Sequence, residues 1–242
     1  MERGAILRKL LDVARLVPPE MKAFRQVFEY ETEDERATVA SALRELNARP
    51  RLLDIEGNEA AVISWECSCL QKKCGACAMI INGLPRLACD TRLAELAGER
   101  VTLDPLAKFP VVADLVVDRD AVFTKLRDMG VWHDNERSLL TQDKASDWAY
   151  EATRCLQCGC CLEVCPNYVP DAIFGGMAAM NPMARLLEET PKAERKRLAR
   201  SYKESVFGGC AKALVCRNIC PANIDIDRLL SRANARAVWG RH

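Results

Sequence analysis

The cysteines are the residues of this 242-residue chain whose type and spacing could do chemistry. There are thirteen, in three groups: five between positions 67 and 89, five between 155 and 165, and three between 210 and 220. An odd number cannot pair completely in disulfides within one chain. Grouped thiolates are typical of metal sites, because the ligands of such a site must converge. The pattern therefore predicts protein-bound metal.

The first group has the C-x4-C-x2-C…C spacing of plant-type [2Fe–2S] proteins. Its four expected ligands are Cys69, Cys74, Cys77 and Cys89. Asn82-Gly83 is a hairpin signal that would return the chain to the cluster. Zinc sites usually pair C-x2–4-C units instead, so a structural zinc-binding protein is the weaker interpretation. Cys67 fits no ligand position and is expected to be a free thiol, buried or partly exposed.

The second group follows the bacterial ferredoxin run C-x2-C-x2-C-x3-C-P. It consists of Cys155, Cys158, Cys161 and Cys165, followed by Pro166. The third group is the same run with one cysteine missing, because Ala213 stands at the second position. Its members are Cys210, Cys216 and Cys220, followed by Pro221.

In two-cluster ferredoxins the fourth cysteine of each run binds the other cluster. This rule assigns a [4Fe–4S] cluster to Cys155, Cys158, Cys161 and Cys220. The second site receives only Cys165, Cys210 and Cys216, which predicts a [3Fe–4S] cluster there. A labile fourth iron with a non-cysteine ligand is the alternative. Cys160 is left over, and its side chain is expected to point away from the cluster.

The elements that would position these cysteines differ between the two ends of the chain. Period-two alternation and β-favouring residues predict strands at 23–31, 61–65, 78–81 and 100–104, and a helix at 37–48. Residues 5–16 have helical spacing, but a strand here would complete a hairpin with 23–31, and we favour the strand. Helices are expected at 119–129, 182–190, 191–206 and 225–238. Pro105 and Pro110 suggest a domain boundary, giving domains 1–110 and 111–242.

Composition excludes several classes of protein. The net charge is +1, which gives no reason to expect nucleic-acid binding. No apolar run approaches the roughly 20 residues of a membrane span, and no secretory signal pattern is present, so the thiols are expected in a reducing compartment. His133 and His242 are isolated, and no G-x-G-x-x-G or phosphate loop occurs. The basic stretch 192–203 is either a solvated helix face or a docking surface for anionic lipid or an acidic partner.

The order of a plant-type region followed by a helical two-cluster region resembles the iron–sulfur subunits of succinate dehydrogenase and fumarate reductase. The segments that carry the resemblance are CGACAMIINGLPRLAC (74–89), CLQCGCCLEVCP (155–166) and CAKALVCRNICP (210–221). The resemblance implies an α+β protein. Its N-terminal β-grasp plant-type [2Fe–2S] ferredoxin domain would be followed by an all-α dicluster ferredoxin domain.

The resemblance also implies an electron-transfer subunit of an oxidoreductase, with no catalytic residues of its own. Single electrons would pass between FAD in a partner catalytic subunit and an acceptor, through the [2Fe–2S], [4Fe–4S] and [3Fe–4S] clusters in that order. The succinate or fumarate chemistry, which belongs to the tricarboxylic acid cycle and the respiratory chain, would reside in the flavoprotein. The expected location is the cytoplasm, or the cytoplasmic face of the inner membrane where an anchor subunit is present.

The residues expected near the electron acceptor differ from those of ubiquinone-linked members of the family. Those members carry a tryptophan pair where this chain has Val169-Pro170, and a histidine where it has Ala211; only Pro166 is retained. Two kinds of partner are therefore open: membrane-anchor subunits with a quinone, menaquinone included, or a cysteine-rich soluble subunit of a thiol/disulfide-linked fumarate or other enoate reductase. A heterodisulfide- or glycerol-phosphate-type subunit fits less well, because it would have two complete four-cysteine runs.

Overall fold

The fold is that of a computed structural model, which describes residues 6–17, 22–132, 147–190 and 195–240. His133 and His242 lie outside these ranges. The chain divides into two compact units, the first ending at Asp118 and the second beginning at Arg119. The first unit holds the sheet and the second is helical, so the predicted α+β class is confirmed.

A five-stranded sheet forms the centre of the first unit, with strand order β2-β1-β5-β3-β4. Only β1 and β5 are parallel neighbours; the other pairs are antiparallel. The strands are β1 (Leu7–Val17), β2 (Lys22–Thr32), β3 (Ala78–Ile81), β4 (Leu84–Leu87) and β5 (Arg100–Asp104). The strands predicted at 23–31, 78–81 and 100–104 are confirmed, while β4 was not predicted.

Strand β1 settles the ambiguity of residues 5–16 in favour of the strand. It pairs with β2 along its whole length, from Leu7 opposite Thr32 to Val17 opposite Lys22. Its inward face carries buried Lys9 and Arg15 beside the apolar residues, which hides the period-two pattern in the sequence. Lys9 is satisfied because its Nζ donates to the carbonyl oxygen of Leu96 at 2.7 Å.

Helix α1 (Val39–Asn47) covers the predicted helical segment 37–48. Its first turn is closed by a capping box between Thr38 and Ser41, which satisfies backbone N–H groups that a helix start leaves free. The backbone N–H of Ala40 also donates to the carbonyl oxygen of Ala88 at 3.0 Å. The helix is thereby attached to the segment that carries Cys89.

The strand predicted at 61–65 is wrong, since this segment joins no sheet. Most of its backbone hydrogen bonds are made with side chains, and the Ser64 carbonyl oxygen accepts from Leu115 N at 3.1 Å. The Asn47 side chain both accepts from Ile63 N and donates to Ile63 O, each at 2.9 Å. Arg15 Nη2 donates to the Ala61 carbonyl oxygen at 3.0 Å, and Ser64 N donates to an Asp114 carboxylate oxygen at 2.8 Å.

A short hairpin, β6 (Val111–Ala113) and β7 (Val116–Val117), completes the first unit beyond the boundary predicted at residue 110. Asp114 at its turn forms an ion pair with Arg15, with Nε and Oδ1 3.0 Å apart and both side chains buried. Asp114 also accepts from Leu16 N at 2.8 Å. These long-range bonds explain why the hairpin lies with the sheet.

The second unit is helical, as predicted. Its helices are α2 (Asp120–Asp128), α3 (Asp147–Thr153), α4 (Cys160–Glu163), α5 (Gly176–Glu189), α6 (Arg195–Tyr202), α7 (Val215–Ile219) and α8 (Ile226–Ala237). Helix α5 begins at Gly176 rather than at 182, so Pro182 lies in its interior. Helix α6 continues as a π-helical turn over Lys203–Phe207, and the start predicted at 191 lies outside the described residues.

Helix α5 supplies much of the apolar core of the second unit. Met180, Met183 and Leu187 are fully buried and pack in one cluster with residues of α6 and α8. The buried Tyr202 hydroxyl donates to Asn234 Oδ1 at 2.8 Å, which links α6 to α8. Among the described residues, no helix combines the length and the apolar composition that crossing a bilayer requires.

Candidate functional site

All thirteen cysteines lie in the described part of the chain, and all are free thiols. None forms a disulfide, so each remains available as a thiolate ligand. They fall into one group in the first unit and two groups in the second.

The first group is arranged around the β3–β4 hairpin. Cys77 lies immediately before β3, and Cys89 lies shortly after β4. The hairpin turn places Asn82 and Gly83 at φ 48° and 77°, the left-handed geometry that the dipeptide predicts. The N–H of Ala88 donates to the Cys77 carbonyl oxygen at 3.0 Å, which brings Cys89 back beside Cys77.

The loop that carries Cys69 and Cys74 directs backbone N–H groups at cysteine sulfurs. Gln71 N and Lys73 N each donate to Cys69 Sγ at 3.3 Å, and Lys72 N donates to Cys89 Sγ at 3.4 Å. The last of these bonds ties the loop to the far side of the hairpin. The loop therefore supplies hydrogen-bond donors that stabilise negative sulfur.

The pKa values of the thiols report the same proximity. Hydrogen bonds from the Gln71 and Lys73 backbone and from the Cys74 thiol lower the pKa of Cys69 to about 7. Burial raises the pKa of Cys77 to about 12, and the neighbouring Cys89 and Cys74 thiols contribute to the rise. Cys74 is thus near both Cys69 and Cys77, and Cys77 is near Cys89. Cys67, outside the pattern, is exposed.

In the second unit, four cysteines line a single cavity, here called the four-cysteine cavity. They are Cys155, Cys158, Cys161 and Cys220. Gln157 and Gly159 hold left-handed φ angles of 53° and 86° between the first three, which folds that run around the cavity. Burial raises the pKa of Cys161 well above its usual value, with contributions from the Cys158, Cys155 and Cys220 thiols.

Cys160 does not line this cavity and is fully buried. A hydrogen bond with its side chain lowers the pKa of Cys158 to about 7. The leftover cysteine of the run is therefore a neighbour of a cavity-lining thiol.

Cys165 of the second group lies near Cys210 and Cys216 of the third group. Burial raises the pKa of Cys216 to about 11, and the nearby Cys165 and Cys210 thiols contribute. Asn167 Nδ2 donates to the Gly209 carbonyl oxygen at 2.8 Å, which joins the two segments that carry these cysteines. Ala213, at the position of the missing cysteine, is exposed on the loop between Cys210 and α7.

Two polar residues that the sequence analysis missed contact the four-cysteine cavity. Gln157 Nε2 donates to Cys155 Sγ at 3.4 Å, and the Asn181 side chain also hydrogen-bonds this sulfur. Asn181 is 2% exposed although it is an amide on a core helix. The Pro182 beside it was the only signal in the sequence that this stretch is unusual.

The donor sets fit iron–sulfur clusters. Each of the three groups presents sulfur ligands, the type that clusters use. Within the described residues, no three His, Cys, Asp or Glu side chains converge as ligands of a single metal ion would. A cluster does not require that convergence, because its thiolates bind different irons.

Comparisons with known proteins agree with this geometry. Residues 10–124 match the family of 2Fe-2S iron-sulfur cluster binding domains, and residues 136–224 match the 4Fe-4S dicluster domain family. The succinate dehydrogenase iron-sulfur subunit of Bacillus subtilis (strain 168) is 33% identical over 205 residues, which are 81% of this chain and 79% of that protein. The fumarate reductase iron-sulfur subunit of Wolinella succinogenes is 28% identical over 190 residues, covering 73% and 78%.

A solved structure gives the same result for the fold. A chain of the Mycobacterium smegmatis Sdh1 complex in the apo form matches with a TM-score of 0.71 at 25% sequence identity. The match covers 96% of this chain and 98% of that chain. The predicted family and the predicted pair of ferredoxin-type domains are confirmed. The chain belongs to the family of succinate dehydrogenase and fumarate reductase iron–sulfur subunits, which are electron-transfer proteins with [2Fe–2S] and [4Fe–4S] cluster-binding domains.

Proposed function

We propose that this chain relays single electrons between an FAD-containing catalytic subunit and a quinone or other acceptor. The four-cysteine cavity carries the proposal, because Cys220 of the third group lines the same cavity as Cys155 of the second. This is the crosswise arrangement that a two-cluster ferredoxin requires. Such sharing has no purpose in a protein that binds one metal per cysteine run.

The proposed ligands are the cysteine groups described above. They are Cys69, Cys74, Cys77 and Cys89 for [2Fe–2S]; Cys155, Cys158, Cys161 and Cys220 for [4Fe–4S]; and Cys165, Cys210 and Cys216 for [3Fe–4S]. When bound, the clusters supply one-electron carriers that form and break no covalent bond. The two electrons of a reduced flavin would leave in two single steps, while protons are released at the flavin and taken up at the acceptor.

The chain's own residues hold and tune these sites. Backbone N–H groups of Gln71 and Lys73 donate to Cys69, and the side-chain amide of Gln157 donates to Cys155. Succinate or fumarate chemistry belongs to the partner flavoprotein in this proposal, and the chain itself contributes no catalytic residue.

The proposed acceptor partner is a membrane-anchor subunit with a quinone, on the cytoplasmic face of the inner membrane. Exposed apolar side chains that follow Cys165 in the chain support it: Val169 is 56% exposed and Ile173 is 70% exposed. Co-purification from solubilised membranes tests this assignment. A haem-bearing membrane protein in the complex would support it, whereas a cysteine-rich soluble subunit would favour the thiol/disulfide-linked enoate reductase.

The ligand assignment predicts roughly nine irons per fully loaded chain. Replacing Cys220→Ala removes a thiolate from the four-cysteine cavity, so the reduced [4Fe–4S] EPR signal is expected to disappear while the [2Fe–2S] signal remains. The matched control is Cys67→Ala, which removes an exposed thiol outside all three groups and should leave iron content and spectra unchanged. A normal [4Fe–4S] signal in Cys220→Ala would refute the crosswise arrangement.

The three-iron assignment has a separate test in Ala213→Cys. This change supplies the missing thiolate, so the three-iron EPR signal of the oxidised protein is expected to be replaced by a second cubane of lower potential. Iron content should rise to about ten per chain. An unchanged oxidised spectrum, or about ten irons in the unaltered protein, would contradict the assignment.

A further inference from the structure

The side-chain amide of Gln157 donates two hydrogen bonds. Its Nε2 donates to Cys155 Sγ at 3.4 Å and to the Ala178 carbonyl oxygen at 3.0 Å. Its backbone has a φ of 53°, a left-handed conformation that residues other than glycine seldom adopt. Gln157 thus combines an uncommon backbone geometry with a side-chain amide that contacts both Cys155 and Ala178.

The orientation of this amide follows from its neighbours. A carbonyl oxygen and a thiolate are both acceptors, so the nitrogen must face them and the oxygen must face away. Gln157 Oε1 is consequently buried without a hydrogen-bond partner in the described part of the chain. An unpaired buried acceptor destabilises the folded state, because it has lost its hydration and no hydrogen bond replaces it. Stability alone would favour an apolar residue here, which suggests that the N–H groups serve another purpose.

Pro182 explains why the Ala178 carbonyl is available. In an α-helix the carbonyl oxygen of residue 178 would accept from the backbone N–H of residue 182. Proline has no N–H, so its position inside α5 frees that carbonyl. Gln157 supplies the replacement donor at 3.0 Å. Pro182 therefore leaves free the carbonyl oxygen that holds the Gln157 side chain in position.

Asn181 provides a second amide at the same sulfur. It lines the four-cysteine cavity together with Cys155 and is 2% exposed, and its side chain offsets part of the rise that burial causes in the pKa of that cysteine. Its Oδ1 is also buried without a partner in the described residues. Two buried amides thus each leave their oxygen unpaired while the amide contacts one cysteine.

We propose that Gln157 and Asn181 raise the reduction potential of the [4Fe–4S] site, and that Pro182 is a positioning residue that acts through Gln157. This inference rests on the proposed function, because it requires Cys155 to be a ligand of that site. The physical reason is that N–H donors stabilise sulfur more strongly when an added electron makes it more negative. The two amides would make electron uptake at this site more favourable.

The test is a redox titration, monitored by EPR, of the whole complex with Gln157→Leu or Asn181→Leu. Asn181→Leu keeps the branching and the number of non-hydrogen side-chain atoms, Gln157→Leu removes one such atom, and both changes remove the amide donors. We expect the midpoint potential of the [4Fe–4S] signal to fall, by about tenfold in the reduction equilibrium, which is about 59 mV for one electron. The [2Fe–2S] and three-iron signals of the same sample are the internal control, and their potentials should not change.

Pro182→Ala tests the positioning role. Alanine restores a backbone N–H that competes with Gln157 for the Ala178 carbonyl, so this variant should lower the same midpoint. In the double variant Gln157→Leu/Pro182→Ala the shift should equal that of Gln157→Leu alone. Additive shifts would refute a role for Pro182 through Gln157.

The outcomes separate this inference from the function on which it rests. An intact [4Fe–4S] signal with an unchanged midpoint in both Gln157→Leu and Asn181→Leu overturns the inference and leaves the ligand assignment in place. An unaltered [4Fe–4S] signal in Cys155→Ala overturns the ligand assignment instead. If Gln157→Leu fails to fold, the midpoint potential of Asn181→Leu alone tests the inference, because Asn181 lies on helix α5 and Gln157 does not.

Discussion

Two cysteines of the first unit, Cys69 and Cys74, lie on a surface loop, whereas the four-cysteine cavity of the second unit lies among helices. Cys69 is partly exposed and Cys74 is exposed, and their loop offers backbone N–H groups to sulfur. Cys158 is buried, and the side chains of Gln157 and Asn181 act on Cys155 in addition to the Gln157 backbone N–H. The first site is built by local backbone geometry, and the second is built by tertiary packing.

The two cores depend on their cysteines to different degrees. In the first unit the fully buried residues are sheet and helix side chains such as Leu11, Phe28 and Leu43. In the second unit Cys216 is part of the hydrophobic core cluster, and Cys155 and Cys161 pack against it. The bound clusters should therefore contribute more to the stability of the second unit than to that of the first.

Iron removal should give the largest effect. We expect the apo chain to lose hydrogen-exchange protection in α4, α7 and the first turn of α8, since buried thiols would be left around an unfilled cavity. Strands β1 and β5 should stay protected. Segment-resolved hydrogen exchange measures both units in one sample. Equal loss of protection in β1 and α4 would contradict the contrast between the two units.

The buried ion pair of the first unit should give the next largest effect. Arg15→Leu leaves the Asp114 carboxylate buried without its cation, which costs about 3–5 kcal/mol of unfolding free energy. Urea unfolding of the first unit, followed by exchange in β1, measures this loss. The matched control on the same strand is Arg8→Leu, whose pair with Glu29 is largely exposed. That control should cost no more than about 1 kcal/mol.

The buried carboxylate of the second unit should be less sensitive to the loss of one arginine. Glu188 is paired with both Arg232 and Arg236, at 2.5 Å and 2.8 Å. Arg232→Ala leaves the second arginine in place, and Arg232 is 36% exposed, so we expect a cost of about 1 kcal/mol. A loss as large as that of Arg15→Leu, measured by urea unfolding, would show that the two arginines do not substitute for each other.

Features set by neighbouring residues could be predicted from the sequence. The Asn82-Gly83 turn is confirmed by its left-handed φ angles, and helix α1 lies within the predicted segment 37–48. The second cysteine run is also a local pattern, and its first three members, Cys155, Cys158 and Cys161, line one cavity. Such features depend on short-range geometry, which a sequence pattern records directly.

Features set by distant partners could not be predicted. Residues 61–65 have the composition of a strand, but Asn47 and Arg15 take the place of a neighbouring strand. Helix α5 starts before Pro182, because Gln157, from another segment, satisfies the carbonyl that proline leaves free. The amides beside Cys155 escaped notice for the same reason, since nothing in their spacing indicates that they meet a sulfur.

The distance along the chain between Cys155 and Cys220 also sets an order of events during synthesis. The first cysteine group is complete when residue 89 has left the ribosome. The four-cysteine cavity lacks one wall until residue 220 has emerged, because Cys220 lines it. Domains fold as units from the N-terminus during translation. Cluster delivery to the nascent chain can thus begin at the first unit, whereas the second must wait for nearly the whole polypeptide.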